Sequence, residues 1–184
     1  MAKIKIIRDE IVFEGAFVRT IKRYFKDKNG REQVWEMVER KNCKRIVVVA
    51  AITPEKEIIL EKIYRVPFKD YVIELPAGLM DIKGESEESA AKRELLEETG
   101  YAVDDMSLLD TGPFNTGLLK DELAVFLGLN ARKIREPELE SSEDLTIIKV
   151  PLKNLLNFLA ANRLKHDVKI PLVLAHLASR GLLI

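Results

Sequence analysis

Seven consecutive apolar residues, Ile46-Val47-Val48-Val49-Ala50-Ala51-Ile52, constrain this chain more than any other feature. A strand wetted on one side alternates apolar with polar residues, whereas an unbroken Val/Ile run suits a central strand buried on both faces. Such a strand needs a packed layer above and below it, which points to a domain of layered sheet and helices. The run is far too short to cross a bilayer, which takes about 20 apolar residues. A length of 184 residues suits one domain, or one with a modest N-terminal extension, and can bury a real core.

The flanking segments agree with that layering. The first forty residues read as strands. Phe17–Phe25 and Val34–Val38 are rich in β-branched and aromatic residues, and the Asn29-Gly30 pair between them signals a turn. Glu57–Tyr64 and Tyr71–Leu75 read as further strands, with Pro67 to Asp70 connecting them. A helix is predicted from Ser86 as N-cap, with Glu87 and Glu88 in its first turn, to Gly100, which suits the left-handed position after a helix. Strands are expected near Met106–Leu109, Leu123–Leu129 and Leu145–Val150, and helices over Leu152–Ala161 and Val168–Arg180. The sum is a mixed α/β fold.

Composition excludes several function classes. Thirty Lys+Arg balance thirty Asp+Glu, so bulk basicity does not carry the chain to nucleic acid. Charged residues make up 33% against a usual share of about a quarter, so the surface is heavily charged. Met1 to Lys5 leads into alternating residues rather than an apolar run, so no secretory signal is visible and a cytoplasmic protein is expected. The single cysteine, Cys43, leaves no internal disulfide and no Cys-based zinc cluster. His166, His176 and Cys43 have no companions at ligand spacing and read as structural.

The chemistry concentrates between Gly78 and Tyr101. Glu94, Glu97 and Glu98 stand at i, i+3 and i+4 of the predicted helix and project from one face. Like charges so close destabilise a bare helix by a few tenths of a kcal/mol per pair. A divalent cation removes that repulsion, and carboxylate oxygens are the ligands that hard Mg²⁺ or Mn²⁺ prefer. Arg93, one residue before the cluster, is placed to steer a neighbouring acid. Glu85 waits at the helix entrance as a further oxygen donor.

From Glu85, through seven residues, to Arg93-Glu94-Leu95-Leu96-Glu97-Glu98-Thr99-Gly100-Tyr101, the chain resembles the Nudix box of the Nudix hydrolases. Gly78 and Glu85 are separated by six residues rather than that pattern's usual five, the extra one falling in the loop Leu79 to Gly84. Tyr64-Arg65-x-Pro67 and Glu74-Leu75-Pro76-Ala77-Gly78 resemble the segment preceding the box in ADP-ribose and ADP-sugar pyrophosphatases. Trp35-Glu36-x-Val38-x-Arg40 is similar to their adenosine-binding strand, and Asp167-x-Lys169 with its helix to their tail.

The resemblance implies the Nudix fold, a mixed sheet sandwiched between helices (α/β/α) over residues 45–184. It also implies an N-terminal antiparallel strand extension over residues 1–44, suited to dimer formation and adenosine contacts. Carried over by position, it implies that Trp35 stacks on adenine, Glu36 hydrogen-bonds it, and Arg40 and Arg65 hold the diphosphate and its sugar. The carbonyl of Ala77 with Glu94 and Glu98, and Glu85 beside them, would bind metal, while Glu97 and Arg93 assist. The proton-accepting acid would come from a late loop: Glu143 is the closest match, with Glu140 and Asp144 as substitutes. The implied reaction is Mg²⁺- or Mn²⁺-dependent hydrolysis of ADP-ribose to AMP and ribose 5-phosphate by a homodimer, without nucleic acid or membrane.

Two features leave alternatives open. Relatives that act on ADP-ribose commonly carry a proline beyond the box, where this chain has Thr116, with Pro113 three residues early; another nucleoside diphosphate derivative is therefore a second reading. Trp35 and Glu36 are adjacent on one strand, so their side chains leave opposite faces. Both reach one nucleotide only if the strand bulges or if a second subunit supplies one contact. A non-catalytic nucleotide sensor is the reading from another class, and the presence of all four glutamates, Glu85, Glu94, Glu97 and Glu98, speaks against it.

Overall fold

The structure, a computed structural model, describes residues 3–139 and 141–182. The apolar run forms strand β4 (Ile46–Ile52) in the middle of the larger sheet. Before it come β1 (Lys5–Glu14), β2 (Val18–Lys26) and β3 (Glu32–Arg40). After it come β5 (Glu57–Arg65), β6 (Asp70–Glu74), β7 (Ala77–Leu79) and the helix α1 (Glu87–Thr99). The chain continues through β8 (Tyr101–Ala102), β9 (Met106–Pro113), β10 (Glu122–Leu129), β11 (Arg132–Lys133) and β12 (Leu145–Pro151). It closes with α2 (Leu155–Ala161), β13 (Lys165–His166) and α3 (Lys169–Ser179).

The large sheet runs β13-β6-β5-β4-β10-β9, with β12 added to β5 and β7 added to β4. It is mixed: β4 lies parallel to β10 and antiparallel to β5 and β7. Alternation along β4 then builds two cores from one strand. Val48, Ala50 and Ile52, with Ile58 and Leu60 of β5, pack against α2 and α3 through Leu155, Leu159, Ile170 and Leu177. Val47, Val49 and Ala51, with Ile59, pack against α1 through Ala90, Ala91 and Leu95. Fully burying an aliphatic side chain of this size contributes about 1.5–3 kcal/mol. This is the expected sheet between helices.

The boundaries of α1 follow local chemistry. Ser86 Oγ accepts from the Ser89 N–H at 3.1 Å, Glu87 and Glu88 occupy the first turn, and Gly100 ends the helix at φ 74°. Gly100 also has Arg135 against it: a Cβ there would lie 2.1 Å from the Arg135 carbonyl oxygen. The predicted helix over Leu152–Ala161 begins instead with a 3-10 turn, Leu152–Asn154, before α2.

Strands β1, β2 and β3 form a separate antiparallel sheet. β1 is less legible in the sequence because its two irregularities, between Ile6 and Arg8 and between Ile11 and Phe13, interrupt the alternation that marks a strand. All ten of its residues are exposed, so no buried face disciplines their pattern. The segment after β9 ties this sheet to the larger one: Val38 N–H donates to Leu118 O at 2.8 Å, and Lys120 N–H to Val38 O at 3.1 Å. Among the described residues, no helix is long and apolar enough to cross a membrane.

Candidate active site

The acidic face of α1 is gathered by Arg93. Its guanidinium donates to Glu85 at 3.0 and 3.2 Å, to Glu94 at 2.8 Å and to Glu97 at 3.1 Å. These four side chains come from the loop before the helix and two of its turns, so one cation holds the loop to the helix face. The same contacts keep the Arg93 guanidinium protonated well above its ordinary range. Glu94, on the inner side, is pushed upward by burial despite Arg93 beside it.

Gly78 explains how Glu94 fits. A Cβ at position 78 would lie 1.9 Å from the Glu94 carboxyl carbon and 2.1 and 2.2 Å from its oxygens, so any side chain there displaces Glu94. β7 brings Gly78 in by pairing with β4, Val47 opposite Gly78 and Val48 opposite Ala77. The extra loop residue between Gly78 and Glu85 leaves that approach intact.

Glu98 sits deeper and is only 8% exposed. Its Oε2 accepts from the Ala77 N–H at 3.0 Å. Beneath it lies Glu61 of β5, 2% exposed, whose carboxyl faces that of Glu98. Burial and mutual repulsion raise both: Glu61 is pushed up to about 8 and Glu98 to about 10, so the pair retains a proton at neutral pH. Glu74, directly opposite Glu61 across the β5–β6 ladder, makes two hydrogen bonds of 2.8 Å with Arg65. That bidentate pair occupies only part of the guanidinium, whose five N–H donors leave others for the opening above.

That opening is a cleft of about 530 Å³, lined by Arg65, Ala77, Gly78, Asp81, Arg93, Glu94, Glu97, Glu98, Glu138 and Glu143 among others. Its size and polar lining suit a nucleotide-sized ligand. Of the late acids, Glu143 lines the cleft, while the Asp144 carboxylate is engaged by the Tyr71 hydroxyl at 2.6 Å. Glu140 lies outside the described residues.

Trp35, Glu36 and Arg40 are not among the residues lining this cleft. Trp35 Nε1 donates to Gly117 O at 2.9 Å beside a separate, largely apolar hollow that also includes Ile6, Phe25, Met37 and Thr116. Glu36 faces Lys22 at 3.8 Å, and Arg40 bonds Asp121 at 3.0 Å. β3 pairs with β2 in unbroken register from Arg40 to Glu32, so no bulge in that ladder swings Trp35 and Glu36 to one side.

The cleft residues fit a divalent cation by chemistry more than by ready-made geometry. Among the described residues, no three acids or imidazoles converge as a ligand set. Arg93 holds Glu85, Glu94 and Glu97, and Glu98 is turned to Ala77 and Glu61. The donors are nevertheless hard carboxylate oxygens, several of them buried and destabilised as anions, and Glu61 Oε1 is buried with no hydrogen-bond partner among the described residues. A cation relieves that excess of negative charge.

A mixed sheet between helices, with a glutamate-bearing helix closing one end of an arginine-flanked cleft, defines a hydrolase of the Nudix class. The NUDIX domain family matches residues 44–168, and the chain belongs to it. An ADP-ribose pyrophosphatase of Bacillus subtilis (strain 168) is 32% identical over 169 residues, covering 90% of this chain and 87% of that protein. An ADP-sugar pyrophosphatase of Mus musculus is 31% identical, over 85% of this chain and 77% of the relative. The crystal structure of an ADP compounds hydrolase superposes with a TM-score of 0.81 over 99% of this chain and 98% of that one, at 22% identity. At that identity it speaks for the fold.

Glu61, Asp81 and Glu138 are cleft or cleft-floor acids that sequence reasoning did not name. Only Glu61 carried a readable signal, a single acid on the inward side of the apolar run Ile58 to Ile63. Asp81 and Glu138 come from loops whose course only the folded chain fixes.

Proposed function

We propose that this protein hydrolyses the diphosphate bond of ADP-ribose, or of a related ADP-sugar, to AMP and a sugar phosphate such as ribose 5-phosphate. The observation that carries the reading is the cleft itself: Gly78 admits Glu94 beside Glu98, and Arg65 lines the same cleft. The names of the relatives supply the substrate class. Glu94, Glu98, Glu85 and the Ala77 carbonyl are the residues to hold Mg²⁺ or Mn²⁺. When bound, such a cation neutralises phosphate charge and makes a water more acidic.

The chain's own residues supply the rest. Arg65, braced by Glu74, offers its remaining N–H donors to phosphate oxygens as a planar fork. Arg93 keeps Glu97 and Glu94 oriented along the helix face. Glu143, on the rim, accepts the proton of the attacking water, a role worth typically about 10²- to 10⁴-fold in rate. Glu143→Gln is accordingly expected to lower kcat by that order and to leave KM within a fewfold; unchanged kcat assigns the proton to another acid.

Adenine recognition belongs, in this reading, to a homodimer. Trp35 is half exposed, and the sheet that bears it presents Ile6, Ile7, Ile11, Val12 and Phe13 to the outside. A second copy covering those apolar residues would supply one of the two contacts, Trp35 or Glu36, to the neighbour's cleft, because the regular β3 ladder sends the two side chains to opposite faces of one strand. The closing experiment is direct: the protein with Mg²⁺ and ADP-ribose between about pH 7 and 9 should release AMP. No AMP across that range overturns the proposal. A different nucleoside diphosphate derivative is favoured if kcat/KM for a uracil or guanine nucleotide exceeds that for ADP-ribose, the outcome for which Thr116, in the hollow beside Trp35, is the motivation.

A further inference from the structure

The floor of the cleft contains one carboxylate that belongs to none of the motifs above. Glu61 lies on β5 two residues beyond Ile59, whose side chain packs against α1, so it projects from the same side of the sheet. Its flanking inward residues, Ile59 and Ile63, are apolar and buried. An apolar residue at position 61 would therefore complete the packing with no polar atom to satisfy. The chain instead carries a carboxyl there that is 2% exposed.

The surroundings do not satisfy that carboxyl. It meets the Glu98 carboxyl, acid to acid, and faces Glu74 across the ladder. Among the described residues, its buried Oε1 has no hydrogen-bond partner. An unsatisfied buried polar atom costs about 1–3 kcal/mol, more if charged. The two arginines beside the cluster are committed elsewhere, Arg65 to Glu74 and Arg93 to Glu85, Glu94 and Glu97. Glu61 and Glu98 thus form an inner acidic pair under the cleft with neither arginine bonded to it.

We infer that Glu61 is an additional oxygen donor of the cation site, its Oε1 reaching the divalent ion held by Glu98 directly or through one water on that ion. The inference rests on the metal-dependent reading above and deepens it. It makes the site one carboxylate richer than its helix motif alone, and so better able to hold a cation before any nucleotide arrives. A residue supporting a metal from this position typically contributes about 10- to 100-fold in affinity.

The test is Mn²⁺ alone, titrated into the full chain without nucleotide and followed by electron paramagnetic resonance and calorimetry. Glu61→Gln and Glu61→Leu should each weaken Mn²⁺ binding by about 10- to 100-fold, with melting of the metal-free proteins unchanged or higher. Glu57→Gln removes a charge at the outer end of the same strand and should bind as the parent does. If both Glu61 variants bind Mn²⁺ like the parent while Glu98→Gln loses it, the inference is overturned and the metal-dependent reading stands. If the parent binds no Mn²⁺, both fall. Anomalous diffraction from unaltered protein with Mn²⁺ gives a reading independent of variant folding: an ion more than about 5 Å from Glu61 Oε1, beyond the reach of one bridging water, overturns it.

Discussion

In the cleft beside α1, the polar side chains are held by one another; in the N-terminal sheet, Arg19, Arg23 and Tyr24 of the central strand are bonded across to their neighbours, while Trp35 and Glu36 of the edge strand β3 are left more open. Arg93 touches Glu85, Glu94 and Glu97, Glu98 is anchored to the Ala77 N–H, and Arg65 is braced twice by Glu74. Trp35, by contrast, makes one hydrogen bond through its indole N–H and leaves half its surface exposed, and among the described residues Glu36 has only a long contact with Lys22. In the proposed reading, the reacting end of the substrate would meet side chains gathered within one chain. The recognition end, in the same reading, would meet a surface completed by a second copy. Preorganisation matters most where charge develops, because donors fixed in advance need not reorganise during the reaction.

The sharpest way to break the comparison is in the cleft. Glu98→Gln keeps the shape but removes an anionic oxygen from the cation site. Loss of several kcal/mol of charge stabilisation should lower kcat by about three orders of magnitude, with nucleotide binding still measurable by calorimetry. A modest loss would mean that the buried end of the helix is structural. In the N-terminal sheet, Trp35→Ala should act on KM rather than kcat. Stacking of a base on an aromatic ring contributes about 1–3 kcal/mol, or roughly 5- to 150-fold in KM. Equal loss in kcat would place Trp35 closer to the chemistry than the single chain does.

Gly78→Ala sharpens the contrast from the backbone side. Forcing a methyl into the space of the Glu94 carboxyl should destabilise by about 1–3 kcal/mol, read as a lower melting temperature. It should also weaken Mn²⁺ binding, and a variant that melts and binds like the parent would remove the proposed role of that close approach. A further contrast is in pH. Because Glu61 and Glu98 hold protons more tightly folded than unfolded, the folded state binds more protons between them. For Glu61, stability is therefore undiminished below the ordinary carboxylate value of 4.5, declines as pH rises above it, and levels off past about 8. Metal-free protein should melt lower at pH 8.5 than at pH 6, and Glu61→Gln should flatten that slope.

Much of this was legible in the residues. The apolar run Ile46–Ile52 dictated a strand covered on both sides, and it is, by α1 on one face and by α2 and α3 on the other. Ser86 and Gly100 marked the ends of α1 because capping and a left-handed residue are local properties. The three-residue strand β7 was read as a motif and not as a strand, since its partner β4 is far away in sequence. The first forty residues read as strands, but the bounds of β1 are not legible, because an exposed, twice-irregular strand has no buried face to mark its ends.

By itself, then, the sequence determined what depends on near neighbours along the chain: the buried central strand, the extent of the acidic helix, and the shared face of Glu94, Glu97 and Glu98. Only tertiary structure decided that Arg93 would gather Glu85 with Glu94 and Glu97, that Gly78 would make room for Glu94, and that Glu61 would lie beneath Glu98. It also decided that Trp35 would stand apart from the cleft of its own chain. Helical spacing and caps are set within a few residues by backbone geometry, whereas contacts between strands, loops and helices are fixed by packing segments that the linear order keeps distant.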